Sequence, residues 1–411
     1  GGWACEPWCQ QEMPVTQALA AEAAAVSNKA LVVIGRTAGE DKDNAAEEGS
    51  YYLTGAEQEM LQCVCSQFEN VIVVLNVSNI IDMDFVESSP HIRAVVYAWQ
   101  GGMEGGNGIA DVLAGKEVFQ GKLTDTIAGK ITDYPSDKNH GGKDKNVYQE
   151  DVYVGYRYFE TFEKDAVRYP FGYGLSYTEF SISDSAVKVS GSGSETTFLF
   201  TCRVKNTGTQ YRGREIVQLY VEKPAGGMGN PARELAGFAK TRSLDCQEEE
   251  VLQIAVPAYR IASYDDTGVS GYQNAYVLEA GTYCFHAGTS VRDTQKVSVD
   301  GKEDWQLAET LLVESCEEAL APIEHFERMC CVTEGDGVRR LEYKPAPTRT
   351  VDLKERILSR LPETIPYTGD KGLRLKHVAD GNCQMETFIA QLSTEVLTAV
   401  VRGEGMCSIK V

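Results

Sequence analysis

Residues 30–61 constrain the fold more than any other stretch of this chain. Ala30–Ile34 is a short apolar run rich in β-branched residues and closed by Gly35. That composition predicts a strand buried on both faces of a parallel sheet. Thr54 followed by Glu57 is an N-cap with its reciprocal partner three residues on, so a helix is expected to start there. Between strand and helix lies a long polar loop carrying Glu40, Asp41, Asp43, Glu47 and Glu48. In open α/β sheets, ligands bind outside the carboxyl ends of the strands. The loop is therefore the first place to look for chemistry.

The alternation continues to about residue 127. Apolar strands are expected at Val71–Val77 and Ala94–Trp99, with a shorter one near Lys122–Thr126, and helices at Gly55–Gln67 and Asn107–Leu113. An alanine-rich helix from about Val15 to Val26 precedes the first strand. Strands alternating with helices imply a parallel sheet with right-handed crossovers. Three or four strands make a small sheet, which suggests that a first strand and helix precede Gly1. The run Gly101-Gly-Met-Glu-Gly-Gly-Asn-Gly108 follows a strand and opens a helix. Its spacing fits neither the dinucleotide fingerprint nor the Walker motif, and a tight strand-to-helix turn explains the glycines better.

Residues 128–177 are loop-rich and crowded with tyrosine. Such a surface can stack sugars or pack domains together, and the apolar body and polar tip of Tyr favour packing. From Thr178 to about Val299 the period changes to two, with alternating runs at Thr197–Val204, Glu215–Val221, Val251–Val256 and Tyr283–Ala287 and a turn at Asn206-Thr-Gly. Short alternating strands separated by turn signals describe an antiparallel β-sandwich. Beyond Gly301 helical patterning is expected to return. Leu307–Ala319 reads as an acidic amphipathic helix, Lys344–Thr350 as a Pro-containing linker, and Leu353–Arg360 and Thr387–Val401 as helices. The last helix carries an apolar stripe with little sequence after it to pack against, so the ending reads as a cut.

A net charge of -21 over 411 residues argues against a nucleic-acid partner, because phosphate backbones attract Lys and Arg. It argues equally against polybasic attachment to anionic lipid. No apolar run approaches the roughly 20 residues that span a bilayer. Twelve cysteines are scattered without a disulfide framework or zinc spacing, which predicts reduced, mostly buried thiols in a cytoplasmic protein.

Taken together, several stretches resemble glycoside hydrolase family 3, the β-glucosidases and their relatives. Ile34-Gly-Arg-Thr-Ala-Gly-Glu-Asp-Lys-Asp43 is similar to the family's acid/base loop, in which an Arg-x-(Ser/Ala)-Gly-Glu run follows a strand. Tyr97-Ala-Trp-Gln-Gly-Gly-Met-Glu-Gly-Gly-Asn-Gly-Ile-Ala-Asp-Val-Leu and Tyr169-Pro-Phe-Gly-Tyr-Gly-Leu-Ser-Tyr-Thr-Glu-Phe also match family patterns. So do Arg233-Glu-Leu-Ala-Gly-Phe-Ala-Lys-Thr and Gly281-Thr-Tyr-Cys-Phe-His-Ala-Gly-Thr-Ser. The resemblance covers roughly residues 15–300. It implies a multidomain fold: an α/β sandwich domain over residues 1–177, its beginning missing, then a fibronectin type III-like β-sandwich over 178–300. Residues 301–411 are expected to form a helical linker and the start of a (β/α)8 barrel, as in members with permuted domain order.

The resemblance also implies chemistry. Retaining glycosidases use two carboxylates about 5–5.5 Å apart, one as nucleophile and one as acid and then base. Glu40 takes the acid/base role on this reading, and the neighbouring carboxylates would help keep it protonated. The family's aspartate nucleophile sits on the barrel and is absent from this chain. A β-glucoside or short oligosaccharide is the implied substrate, and a barrel in the same full-length protein or a partner chain the implied complement. No metal or organic cofactor is implied, and no substrate-binding residues are singled out. A non-catalytic carbohydrate-binding or partner-docking subunit is the alternative.

Overall fold

The computed structural model describes residues 14–36, 43–333 and 338–403, with a two-stranded pairing of Ala4–Glu6 and Cys9–Gln10 before them. Two compact units result, Gly1–Arg349 and Thr350–Val411.

The first unit opens with helix α1 (Gln17–Ala24), capped by the Thr16 hydroxyl, which accepts the Leu19 N–H. Strand β1 (Lys29–Gly35), helix α2 (Gly55–Gln67), strand β2 (Asn70–Asn76) and strand β3 (Ile92–Tyr97) follow. They form a three-stranded parallel sheet in the order β1-β2-β3. The capping box predicted at Thr54 and Glu57 is present in full. Val71, Val73 and Leu75 of β2 are fully buried, and Leu61 and Val64 of α2 pack on the same core.

Strand β1 departs from expectation, because only one of its faces is buried. Val32 and Ile34 point into the core, whereas Leu31 and Val33 are 53% and 54% exposed. Among the described residues nothing covers that second face. Lys122–Thr126 is not a strand either: the short pairing lies just beyond it, between Ile127–Ala128 and Val167–Tyr169. After β3 the glycine-rich run makes the tight turn into helix α3 (Gly105–Leu113). A Cβ on Gly101 would stand 2.6 Å from the Gly105 Cα, so close backbone approach requires glycine there.

Part of the tyrosine-rich segment is packing, though Tyr148 and Tyr177 are exposed. Tyr156, at the start of helix α4 (Tyr156–Phe162), stacks on Phe171 with ring centroids 4.7 Å apart, and its hydroxyl accepts the Leu235 N–H at 2.9 Å. Buried Tyr153 reaches further, donating to the Gly229 carbonyl and accepting the Cys331 N–H at 2.7 Å.

The β domain comprises β4 (Phe180–Ser190), β5 (Thr197–Asn206), β6 (Ile216–Glu222), β7 (Glu234–Lys240), β8 (Glu249–Pro257), β9 (Ser263–Asp265), β10 (Ala275–Leu278), β11 (Gly281–Gly288) and β12 (Thr294–Val299). Strand order in the larger sheet is β7-β6-β11-β12-β4-β5-β8. All pairs are antiparallel except β12 with β4. Phe198, Phe200, Val217, Leu219 and Phe285 fill the core, each at or near full burial. Asn206, read as a turn residue, is completely buried and fully bonded. It accepts from Thr178 and the Gly208 N–H and donates to the Tyr211 and Leu244 carbonyls.

The helix expected over Leu307–Ala319 is corrected to strands. Residues Trp305–Leu307 pair with β11, and Leu311–Ser315 pair with β10. Trp305, Leu307, Leu311 and Val313 all pack against the β-sandwich core. Their spacing explains the misreading: an interval of four satisfies both helix and strand periods, and only the step from 311 to 313 separates them. A hairpin of Glu327–Thr333 and Arg339–Pro345 follows, so helical patterning does not return until the second unit.

That unit holds helices Leu353–Ser359, Leu375–Ala379, Met385–Ile389 and Thr394–Arg402. The single helix expected over Thr387–Val401 is two, because the Ser393 side chain caps a new start by accepting the Val396 N–H. Buried Gln391 accepts the Lys371 and Leu373 N–H groups and donates to the Leu373 carbonyl at 2.7 Å. No helix of the described residues is long and apolar enough to cross a membrane. The nine described cysteines are free, and only Cys202 and Cys331 are buried rather than most of them.

One carboxylate in the β domain sets a pH dependence. Burial would raise the Glu222 carboxyl, but hydrogen bonds from His286 and Arg233 outweigh it and hold the group down to about 2. A depressed folded-state value contributes stability above the ordinary carboxylate range and loses it as pH falls toward the folded value. Glu222→Gln should therefore be less stable than the parent near neutral pH, with urea midpoints that converge as the solution is acidified. Midpoints that stay parallel down the acid limb would contradict this.

Candidate functional site

The acidic loop leaves the carboxyl end of β1 and returns to α2, and its two limbs are described on either side of residues 37–42. Glu40 and Asp41, the first of them the candidate acid/base, lie outside the described residues. Asp43, Glu47 and Glu48 are exposed on the returning limb.

Three sets of bonds root the loop. Arg36, directly after β1, pairs bidentately with Glu57, and Nη2 stands 2.9 Å from Oε2. Its backbone N–H donates to the Asn76 carbonyl at the end of β2. Further along, Asn44 Nδ2 donates to the Ile80 carbonyl at 2.8 Å. Its Oδ1 accepts the Ser50 hydroxyl, which in turn accepts the Ala45 N–H. Tyr97, the last residue of β3, donates to the Asn79 carbonyl and accepts the Ile81 N–H, holding the segment that Asn44 grips. The ends of all three parallel strands thus converge on one loop.

Beside this frame a groove of about 760 Å³ runs between α2 and the segment after β2. Glu48, Tyr52, Gln58, Asp82 and Asp84 line its polar walls, with Leu61 and Phe85 in its floor. Burial pushes the Asp82 carboxyl above its usual range, against the hydrogen bond it accepts from the Asp84 N–H. No group of three or more metal-ligating side chains occurs among the described residues.

Sequence reasoning missed Arg36 and Asn44 as structural parts of the site and saw Glu57 only as a capping residue. The missed signal was a basic residue at a strand end followed by a helix-start glutamate, two charges that 21 positions separate.

The comparisons agree with this architecture. Residues 11–177 match the model of the glycosyl hydrolase family 3 C-terminal domain, and residues 215–291 match the fibronectin type III-like domain. The chain belongs to glycoside hydrolase family 3. Among family members, a β-glucosidase of Ruminococcus albus is 48% identical over all of this chain, which covers 42% of that protein. β-Glucosidase A of Butyrivibrio fibrisolvens is 35% identical over 97% of this chain and 54% of its own length. The crystal structure of a β-glucosidase from Paenibacillus barengoltzii superposes with a TM-score of 0.93 at 51% identity, over the whole of this chain and 45% of that one. This family 3 chain therefore spans about half the length of the relatives it matches.

Among the described residues of the loop, Asn44 is the one side chain whose hydrogen bond crosses from the returning limb to the segment after β2. Asn44→Ala should cost about 1 kcal/mol, the usual net worth of such a bond, by urea unfolding. It should also speed hydrogen exchange at the Ala45 amide. Unchanged exchange there would show that the limb is held by something else.

Proposed function

We propose that this chain is part of a retaining β-glucosidase, to which it supplies the general acid/base, Glu40, while the nucleophile comes from a barrel in the same full-length protein. The observation that carries the reading is the loop frame. The family's Arg-x-(Ser/Ala)-Gly-Glu pattern begins at Arg36, which ties strand ends to a helix start at the carboxyl end of the sheet, the side on which ligands bind in open α/β sheets. The β-glucosidases among its relatives support the substrate class.

The chemistry needs two carboxyl groups and water. Glu40, protonated, gives its proton to the glycosidic oxygen as the barrel carboxylate attacks the anomeric carbon and the bond to the leaving group breaks. A covalent glycosyl ester and the free alcohol result. Glu40, now a carboxylate, takes a proton from water as that water displaces the ester, which returns both groups to their starting states. Without the nucleophile the 411-residue chain alone should hydrolyse no aryl glucoside above background.

Protonation matters most when the leaving group is a poor one. In the intact protein, Glu40→Gln should slow phenyl β-glucoside cleavage by roughly 10²–10⁴-fold, the range for general acid–base catalysis. The bond-breaking step of 2,4-dinitrophenyl β-glucoside should be far less affected. Equal losses on both substrates, or turnover by the isolated chain, would contradict the proposal.

A further inference from the structure

The guanidinium of Arg36 uses all five of its N–H groups on four residues of the loop frame. Nε donates to the Ser50 carbonyl at 3.2 Å and Nη2 to the Tyr52 carbonyl at 3.2 Å, both on the returning limb. Nη1 donates to the Gly35 carbonyl at 2.9 Å, the last residue of β1. The remaining two N–H groups go to the Glu57 carboxylate. Glu57 is 1% exposed, and its Oε2 also accepts the Thr54 N–H at 2.9 Å, which locks it to the first turn of α2. One ion pair therefore joins the outgoing strand, the returning limb and the next helix, around a loop in which Glu40 stands four residues after Arg36.

Stability alone does not account for this arrangement. Withdrawing two charges from water offsets most of their attraction, so a buried pair adds little net stability. What it adds is geometry, because fork-to-fork pairing of guanidinium and carboxylate fixes orientation as well as distance. A general acid depends on such placement, since a displacement of about 1 Å can cost on the order of 10²-fold in rate.

Resting on the assignment of Glu40 as acid/base, we infer that Arg36 and Glu57 are positioning residues that set where the Glu40 carboxyl meets the leaving-group oxygen. Neither touches the substrate. Lys at position 36 keeps the charge but loses the planar fork. Gln at position 57 keeps the shape and the capping geometry while removing the charge.

The test compares R36K, E57Q, the double variant and E40Q in the intact protein, each on phenyl and 2,4-dinitrophenyl β-glucosides. R36K and E57Q should each lower kcat/KM on the phenyl glucoside by roughly 10- to 100-fold, with a much smaller loss of kcat/KM on the dinitrophenyl glucoside, since that constant reads the bond-breaking step and not hydrolysis of the glycosyl ester. The double variant should lose no more than the worse single one, because both break the same clamp. If E40Q discriminates between the substrates while R36K and E57Q lower both equally alongside a reduced Tm, the pair serves stability alone and the inference is overturned. If E40Q itself treats the two substrates alike, the acid/base assignment falls and the inference with it. Should R36K not fold, E57Q decides. Failure of both to fold would also overturn the inference, by making the clamp a condition of the fold.

Discussion

The ion pair between Arg36 and Glu57 ties together elements that the backbone alone leaves independent. A three-stranded parallel sheet specifies where its strands end, but not how a loop of more than a dozen residues returns from one end to the next helix. Here the return is fixed by a guanidinium that bonds to the strand, the loop and the helix start. Asn44 and Tyr97 extend the same frame to the second and third strands. The site is therefore organised by polar bonds between strand ends, set above an apolar core that includes Val73, Leu75 and Leu61.

Aromatic packing plays the corresponding part between the sheet and the β domain. Tyr153 and Tyr156 each bury a ring and place a hydroxyl on a backbone group of a distant segment, at Gly229 and Cys331 or at Leu235. Phenylalanine would fill the same space but leave those backbone groups unbonded, a costly state in a buried setting. Tyr153 and Tyr156 thus follow from joining two differently built layers, whereas Tyr148 and Tyr177 of the same stretch are exposed.

Much of this was legible in the sequence because the decisive signals were local. The β-branched runs of β1 and β2, the capping box at Thr54 and Glu57, and the alternation in β5 and β8 each declare their structure within ten residues or so. Reading failed where signals were ambiguous or distant. Leu307 and Leu311 satisfy helix and strand periods alike, and only their packing beside Trp305 on the β-sandwich core decides between them. Leu31 and Val33 look like core residues, yet they are exposed here, because burial depends on neighbours that a strand's own composition does not reveal. The role of Arg36 was hidden for a related reason: its partner lies 21 positions away, beyond any local pattern. Glu40 was named through the family pattern and not through physical chemistry, since an acidic loop by itself is more often a solvated surface.

That a single carboxyl, Glu40, exchanges protons with the leaving group is the claim on which the functional account turns. The most direct test is chemical rescue of Glu40→Ala in the intact protein by azide. An anion that needs no general base should attack the glycosyl ester in place of water, restoring turnover of 2,4-dinitrophenyl β-glucoside and releasing β-glucosyl azide with retained configuration. Rescue with that product is the result the account predicts. A Glu40→Ala protein that azide leaves unchanged, beside a Glu48→Ala protein that azide restores, would place the acid/base elsewhere and contradict it.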